Sequence, residues 1–264
     1  MASSTRQSLA AAKQALAPML ATADIKFAEE IFAVGSAVAQ SIQLRSILSD
    51  PSAEANAKSG ALKAVFGKSI SAQTLDFVTT LVGLRWSTGQ DLASAFEQLA
   101  VYAVAAIAAK GKKLQSVEAE LFAFQQAVDS DQELQFALGA KQAGDEPKLA
   151  LVNALLGNKA SAEGALLIRS AVVGARRRRV SVVLEQFGKQ ISAYAERLVA
   201  TVTVASAIDA KQLSRLEAIL AKSYGHSINL NVEVDPEILG GIKVQVAGEI
   251  IDGSLSSRLK NAKL

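Results

Sequence analysis

The chain has 264 residues, which is more than one compact core usually contains, so two or three domains are expected. It contains no cysteine, which excludes disulfides, thiol nucleophiles and thiolate metal sites, and its only histidine is His226 in a polar loop. The net charge of +3 is a narrow excess of 28 basic over 25 acidic residues and is not typical of a nucleic-acid-binding protein.

Apolar residues at helical spacing predict a bundle of helices in the first part of the chain, residues 1–105. Half of all residues are apolar, alanine dominates them and aromatics are few, which suits closely packed helices. The longest apolar run, residues 99–109, is shorter than the roughly 20 residues that cross a bilayer, so no membrane insertion is expected. The predicted helices cover about 8–20, 27–48, 53–66, 72–84 and 91–109.

The same order of residues returns in the second part of the chain after a shift of 90 positions. Matching helix stops at Gly67 and Gly157 fall in register with the shared apolar positions. A duplicated helical bundle over residues 106–199 is therefore predicted. The second copy lacks a separate counterpart of the first helix, and the segment 101–127 is expected to serve instead. Pairs in this register include Leu44 with Leu134, Leu48 with Leu138, Lys58 with Lys148 and Ala72 with Ala162.

From Ala200 the apolar periodicity changes from 3.6 to 2, which predicts strands. Between the first two strands lies a helix that begins at Asp209, and a last helix is expected to begin at Ser254. Residues 200–264 should therefore form a small β-α-β-β-β-α module. The fold class is mainly α, with two tandem helical bundles followed by this α/β domain.

No pattern of residues indicates catalysis, metal binding or a cofactor. Gly67-Lys68-Ser69 resembles the end of a phosphate-binding loop, but the glycine expected five residues earlier is Leu62 and no strand precedes it. A Ser-His-Asp triad would have to use the sole histidine. We expect a protein that is not an enzyme.

Two features point to surfaces that bind partners. The run of arginines from Arg176 to Arg179 is either a solvated turn between helices or a contact for an acidic protein. The helix over 72–84 carries apolar residues over most of its circumference, so it is either the centre of a bundle or one wall of a groove for a partner helix.

The C-terminal sequence resembles a known family. A turn at Asp235-Pro236, the pair Gly240-Gly241, an alternating strand and then Ile251-Asp-Gly-Ser254 followed by Arg258-Leu259 are similar to the C-terminal signature of the delta subunit of bacterial F-type ATP synthase. This family includes the mitochondrial oligomycin-sensitivity-conferring protein. With its duplicated helical bundle, the chain resembles a long variant of delta.

The resemblance implies a non-catalytic peripheral-stalk subunit at the cytoplasmic face of the bacterial plasma membrane. It implies that the helical part binds N-terminal helices of alpha subunits in a groove between its first and fifth helices, and that the terminal module binds the C-terminal region of the b subunit. The resemblance does not decide which of the two helical copies binds the alpha subunit. The residues expected at the alpha site are Leu9, Leu16, Leu75, Val78 and Val82, and those expected at the b site are Leu255 and Leu259.

Two other functions are compatible with the residues alone. One is an unrelated helical adaptor that binds amphipathic helices, and the other is a basic protein that associates with membranes or nucleic acid through the arginine run. The second alternative predicts binding that weakens steeply with salt, whereas a helix docked in a groove depends on salt only weakly.

Overall fold

A computed structural model describes residues 3–140, 144–175, 178–197, 199–205, 208–224, 228–235, 241–246 and 249–252. The protein is mainly helical with a small sheet near the C-terminus, as predicted. It divides into two compact units, Met1–Ser192 and Ala193–Leu264. We call them the helical unit and the C-terminal unit. The domain boundaries expected after residues 105 and 199 stay predictions.

The first copy consists of six helices. Four of them begin at a polar cap whose side chain accepts a hydrogen bond from the backbone N–H three residues later, namely Asp24, Ser41, Ser71 and Thr88. The helices are α1 (Ser3–Leu20), α2 (Ile25–Gln40), α3 (Ile42–Ser49), α4 (Ala55–Phe66), α5 (Ala72–Gly83) and α6 (Gly89–Lys110).

The prediction of one continuous second helix through Leu48 was wrong. The chain bends by 105° between α2 and α3. Ser41 has extended backbone angles and caps α3 through Leu44 N–H, and Arg45 Nη1 donates to Ala39 O at 2.8 Å across the break. The break escaped the sequence analysis because the apolar spacing continues across it.

The second copy repeats this arrangement, and we call residues 90 positions apart equivalent. Asp131, equivalent to Ser41, caps the helix after the same break, and Gln135 Nε2 donates to Asp129 O at 3.1 Å, as Arg45 does to Ala39. Equivalent core pairs include Ile31 with Leu121, Val38 with Val128, Leu48 with Leu138, and Val78 with Ile168. The helices are α7 (Leu114–Ser130), α8 (Gln132–Gly139), α9 (Asp145–Leu156), α10 (Ala162–Gly174) and α11 (Val180–Arg197).

Helix α6 is shared by the two copies. It ends the first, where it packs on α1, α2 and α3, and it also contacts α7 and α10 of the second. Residues 93–110 are equivalent to α1, so α6 takes the place of the first helix that the second copy lacks. The contacts agree: Gln73 Nε2 donates to Met19 O at the end of α1, and Glu163, equivalent to Gln73, pairs with Lys113 just beyond α6 at 3.2 Å.

This double packing explains why α6 is so apolar. By length and hydropathy alone α6 could cross a membrane, but 67% of that window is buried inside the protein. A helix packed on several sides needs apolar residues around most of its circumference. The helix in this place is therefore residues 93–110 and not the expected segment 101–127. That segment comprises the end of α6, a turn at residues 111–113 where Lys112 has φ 54°, and most of α7.

The C-terminal unit is a sheet covered by one helix. The strand order is β2-β1-β3-β4, with β1 parallel to β2, and β3 antiparallel to both β1 and β4. Leu220 of the helix packs with Ala200, Val202 and Val244 of the sheet. The elements are β1 (Val199–Val204), α12 (Ala210–Tyr224), β2 (Asn229–Val234), β3 (Ile242–Val246) and β4 (Glu249–Asp252). The helix expected from Ser254 lies outside the described residues.

Candidate helix-binding surfaces

Helices α1 and α5 lie side by side and antiparallel. Ser8 Oγ donates to Arg85 O at 2.6 Å at one end of the pair, and Gln73 Nε2 donates to Met19 O at 3.3 Å at the other. The groove expected between the first and fifth helices would therefore run along this pair.

The five residues expected in that groove all lie on these two helices, but at different depths. Leu16, Val78 and Val82 are at most 1% exposed and belong to the core of the bundle. Leu9 and Leu75 are half-buried. Only Leu9 and Leu75 are therefore accessible to a partner. Leu16, Val78 and Val82 form the core beneath them.

The apolar circumference of α5 reflects its central position. Phe77 is buried against Phe27 of α2, with ring centroids 6.1 Å apart. Leu81 is also buried, and its carbonyl accepts a hydrogen bond from Trp86 Nε1 at 2.9 Å. Packing on α1, α2 and α4 therefore accounts for most of the apolar residues in this helix.

A buried carboxylate, Glu30 of α2, fixes the N-terminus of α5. It is 7% exposed and accepts hydrogen bonds from Ser71 N–H at 3.0 Å, Ser71 Oγ at 2.7 Å and Thr74 Oγ1 at 2.5 Å. Burial raises the pKa of Glu30, but the hydrogen bonds from Thr74 and Ser71, with a smaller contribution from Lys26, outweigh it, so the net pKa is lowered. Glu30 is thus a charged anchor that ties α2 to α5.

The second copy contains the same anchor. Glu120 of α7, equivalent to Glu30, accepts hydrogen bonds from Ser161 N–H at 3.1 Å and Ser161 Oγ at 2.8 Å. Gly164 stands where the first copy has Thr74, and a Cβ there would collide with the Glu120 carboxylate. Sequence reasoning missed both anchors, although the equal spacing of glutamate and serine in the two copies could have revealed them.

A cavity of about 890 Å³ lies where the two copies meet. Its walls come from α2, α3 and α6 of the first copy and from α9 and α10 of the second. Helix α2 contacts both α6 and α10, and Phe32 of α2 packs on Phe187 of α11 with ring centroids 6.0 Å apart. The copies therefore pack directly on each other within the helical unit.

One arginine of the run is engaged at the edge of this cavity. Arg178 forms a bidentate ion pair with Glu97 of α6, at 3.0 and 2.7 Å, and also donates to Gly174 O. Arg179 is exposed, and Arg176 and Arg177 lie outside the described residues. Part of the charge run thus ties the turn between α10 and α11 to the shared helix α6.

The expected b-binding residues, Leu255 and Leu259, lie outside the described residues, as does His226. Within the described part of this unit, the short strand β4 presents Ile250 and Ile251 at 57% and 51% exposure. Across the ranges that the structure describes, no group of three or more carboxylate or histidine side chains could hold a metal ion.

Comparison with known proteins agrees with the resemblance found in the sequence. The family model for "ATP synthase delta (OSCP) subunit" matches twice, over residues 14–101 and 100–264. The boundary between the two matches falls within the shared helix α6.

Curated relatives match over their whole length. The ATP synthase subunit delta of Leifsonia xyli is 41% identical over 100% of this chain and 98% of its own, and that of Beutenbergia cavernae is 37% identical over the same shares. That of Streptomyces griseus is 37% identical over 99% and 98%. A chain of the Toxoplasma gondii mitochondrial ATP synthase hexamer, with TM-score 0.30 and 14% identity over 63% of this chain and 94% of its own, is too distant to add to this. The chain belongs to the ATP synthase delta (OSCP) family, the peripheral-stalk subunits of the F-type enzyme.

Proposed function

We propose that the chain joins two other subunits of the ATP synthase without catalysing a reaction. The helical unit binds an N-terminal helix of an alpha subunit along α1 and α5, and the C-terminal unit binds the C-terminal region of the b subunit. As part of the ATP synthase complex the chain is peripheral to the membrane, and we place it at the cytoplasmic face of the bacterial plasma membrane. Its work is mechanical, because the catalytic head must be held still against the torque of the rotor.

The observation that carries the alpha-binding proposal is the pair Leu9 and Leu75 on adjacent antiparallel helices. Both remain half-buried although the core beneath them is closed by Leu16, Val78 and Val82. Leu9 lies near one end of the pair and Leu75 near the other, so they suit the apolar face of an amphipathic helix that lies along the pair over several turns.

The energetics favour a protein with an anchor at each end. Each leucine that becomes fully buried gains at most about 1.5 to 3 kcal/mol, whereas association costs about 4 to 15 kcal/mol. A single docked helix is therefore marginal even with the peripheral contacts around the leucines. A second binding surface in the same chain raises the effective concentration of the first, so the whole assembly holds more tightly than either contact alone.

For the b subunit we propose a surface that includes Leu255 and Leu259 together with the exposed isoleucines of β4. Ile250 and Ile251 are consecutive, so they project to opposite faces of the strand, and both are more than half exposed. Large apolar side chains on an edge strand are uncommon in a free surface and are typical of one that is covered in an assembly.

Calorimetric titration of the full chain with a synthetic alpha N-terminal helix tests the proposal. We expect saturable binding that changes little between 50 and 300 mM salt, since apolar contacts are screened weakly. Leu75→Asp should weaken it by at least about tenfold, because a buried aspartate loses the gain of an apolar contact and adds a desolvation cost.

The matched control is Val65→Asp on α4, where the side chain is 54% exposed and is not one of the proposed contact residues. It should bind like the unmodified chain, and circular dichroism should show that both variants are folded. Equal loss of binding in both variants, or binding that falls steeply with salt, would contradict the proposal.

A further inference from the structure

We infer that only the first helical copy offers a groove to a partner helix, so that one chain binds a single alpha helix through its helical unit. This inference rests on the proposed binding along α1 and α5. It concerns the second copy, where α6 and α10 are equivalent to α1 and α5.

The equivalent groove is closed at the positions that are accessible in the first copy, and the cavity beside it is bordered by the charged side chains of Glu97, Arg169 and Arg178. Leu99, equivalent to the half-buried Leu9, is 0% exposed, and Ala165, equivalent to Leu75, is 8% exposed. The three core positions of the groove are buried in both copies. The copies therefore differ at the positions of Leu9 and Leu75, which are accessible only in the first copy. The residues equivalent to Leu16, Val78 and Val82 are Ala106, Ile168 and Val172, at 4%, 0% and 2% exposure.

Helix α2 of the first copy packs on both helices of this groove, α6 and α10, and its Phe32 contacts Phe187 of α11. The second copy therefore uses its α6–α10 face internally, to hold the first copy, where the first copy leaves its α1–α5 face free.

Opening the second groove would disrupt the first copy. Ile31, Val34 and Val38 of α2 are all 0% exposed. A Cβ on Gly35 would lie 2.6 Å from Phe96 Cβ, so at this point α2 and α6 are as close as a glycine allows. A partner helix would have to displace these contacts before it could bind between α6 and α10.

The number of sites can be measured by titrating the full chain with the same synthetic helix. We expect one peptide per chain, and Leu75→Asp should lower the affinity at least tenfold without revealing a second site. Two control variants in the second copy should stay within twofold of the unmodified chain. They are Val173→Asp, which changes the wall of the cavity, and Phe122→Asp, which changes a side chain that is 61% exposed.

The location of the site can be read with a fluorophore, because the chain contains no cysteine and a single introduced one is labelled alone. A label on Ala10→Cys of α1 should change its emission when the peptide binds. A label on Ala123→Cys of α7 should not. Both positions are exposed, so neither substitution disturbs the core.

A stoichiometry of two would overturn the inference alone. A Leu75→Asp variant that keeps one site of undiminished affinity would contradict the proposed contact along α1 and α5 as well as the inference. If the unmodified chain does not bind the peptide at all, the proposed alpha contact itself is wrong and the inference falls with it. The titration thus separates an error about the second copy from an error about the function.

Discussion

Glu120 holds the N-terminus of α10 by the same two hydrogen bonds from a serine with which Glu30, 90 residues earlier, holds the N-terminus of α5. In each copy the glutamate lies on the helix before the break and reaches across 41 residues of sequence. The anchors differ in their third donor, which is Thr74 of α5 for Glu30 and Ser116 of the glutamate's own helix for Glu120. The duplicated helices thus keep a polar contact as well as a pattern of apolar residues.

Glu30→Gln should destabilise the helical unit by about 1.5 to 3 kcal/mol, since it removes a charged acceptor of three hydrogen bonds from a buried site. Glu120→Gln should cost less, because Glu120 is only half-buried and one of its three hydrogen bonds comes from the exposed Ser116. Urea unfolding followed by circular dichroism measures both values. Glu29→Gln is the matched control, because that side chain is exposed, and it should leave the midpoint unchanged.

The lowered pKa of Glu30 predicts a specific dependence of stability on pH. A carboxyl whose pKa is lower in the folded than in the unfolded state stabilises the fold above its ordinary value of 4.5, and this contribution is lost as the pH falls through the folded pKa. Between pH 6 and 3, the free energy of unfolding should therefore drop more in the unmodified chain than in Glu30→Gln. Parallel curves for the two proteins would show that Glu30 does not carry this linkage.

Gly35→Ala should destabilise the protein by about 1 to 3 kcal/mol, because its Cβ would overlap Phe96 where α2 and α6 meet. The matched control is Gly60→Ala in the interior of α4, where a Cβ meets nothing within 4 Å. That change should stabilise the protein by about 0.5 to 1 kcal/mol, through the higher helix propensity of alanine. Thermal unfolding of the two variants should shift in opposite directions.

Arg178→Gln should lower stability by no more than about 1 kcal/mol, because its ion pair with Glu97 is partly exposed and screened by salt. The loss should shrink as salt is raised from 50 to 500 mM. Arg179→Gln, at an exposed neighbour, should have no effect at either salt concentration. A cost of several kcal/mol for Arg178 would mean that it holds the turn between α10 and α11 to α6 more strongly than an exposed pair can.

Most of the helices and strands could be predicted from periodicity, because each buries one face and the apolar spacing records it. The break at Ser41 could not, since Val38 and Ile42 continue the helical spacing although Ile42 is 74% exposed. Ser41 and its equivalent Asp131 were the available signal for a new helix start, because serine and aspartate are both favoured at helix N-caps.

The location of the candidate site stays a prediction, but the depth of its residues could not be predicted. A helical wheel cannot distinguish a core position such as Val78 from a half-buried position such as Leu75. That distinction depends on which neighbours cover the helix. The dual role of α6 was predicted only for its end, from residue 101 onward, because a helix buried by two copies and one buried by a single larger core share the same apolar composition.

Because α6 is common to both copies, no flexible tether lies between them. A force applied to the first copy passes along one continuous rod of 22 residues into the second, and α2 braces that rod from the side. The duplication therefore lengthens the helical unit without adding a joint at which it could swing. An elastic element of this stator would therefore lie outside the two helical copies.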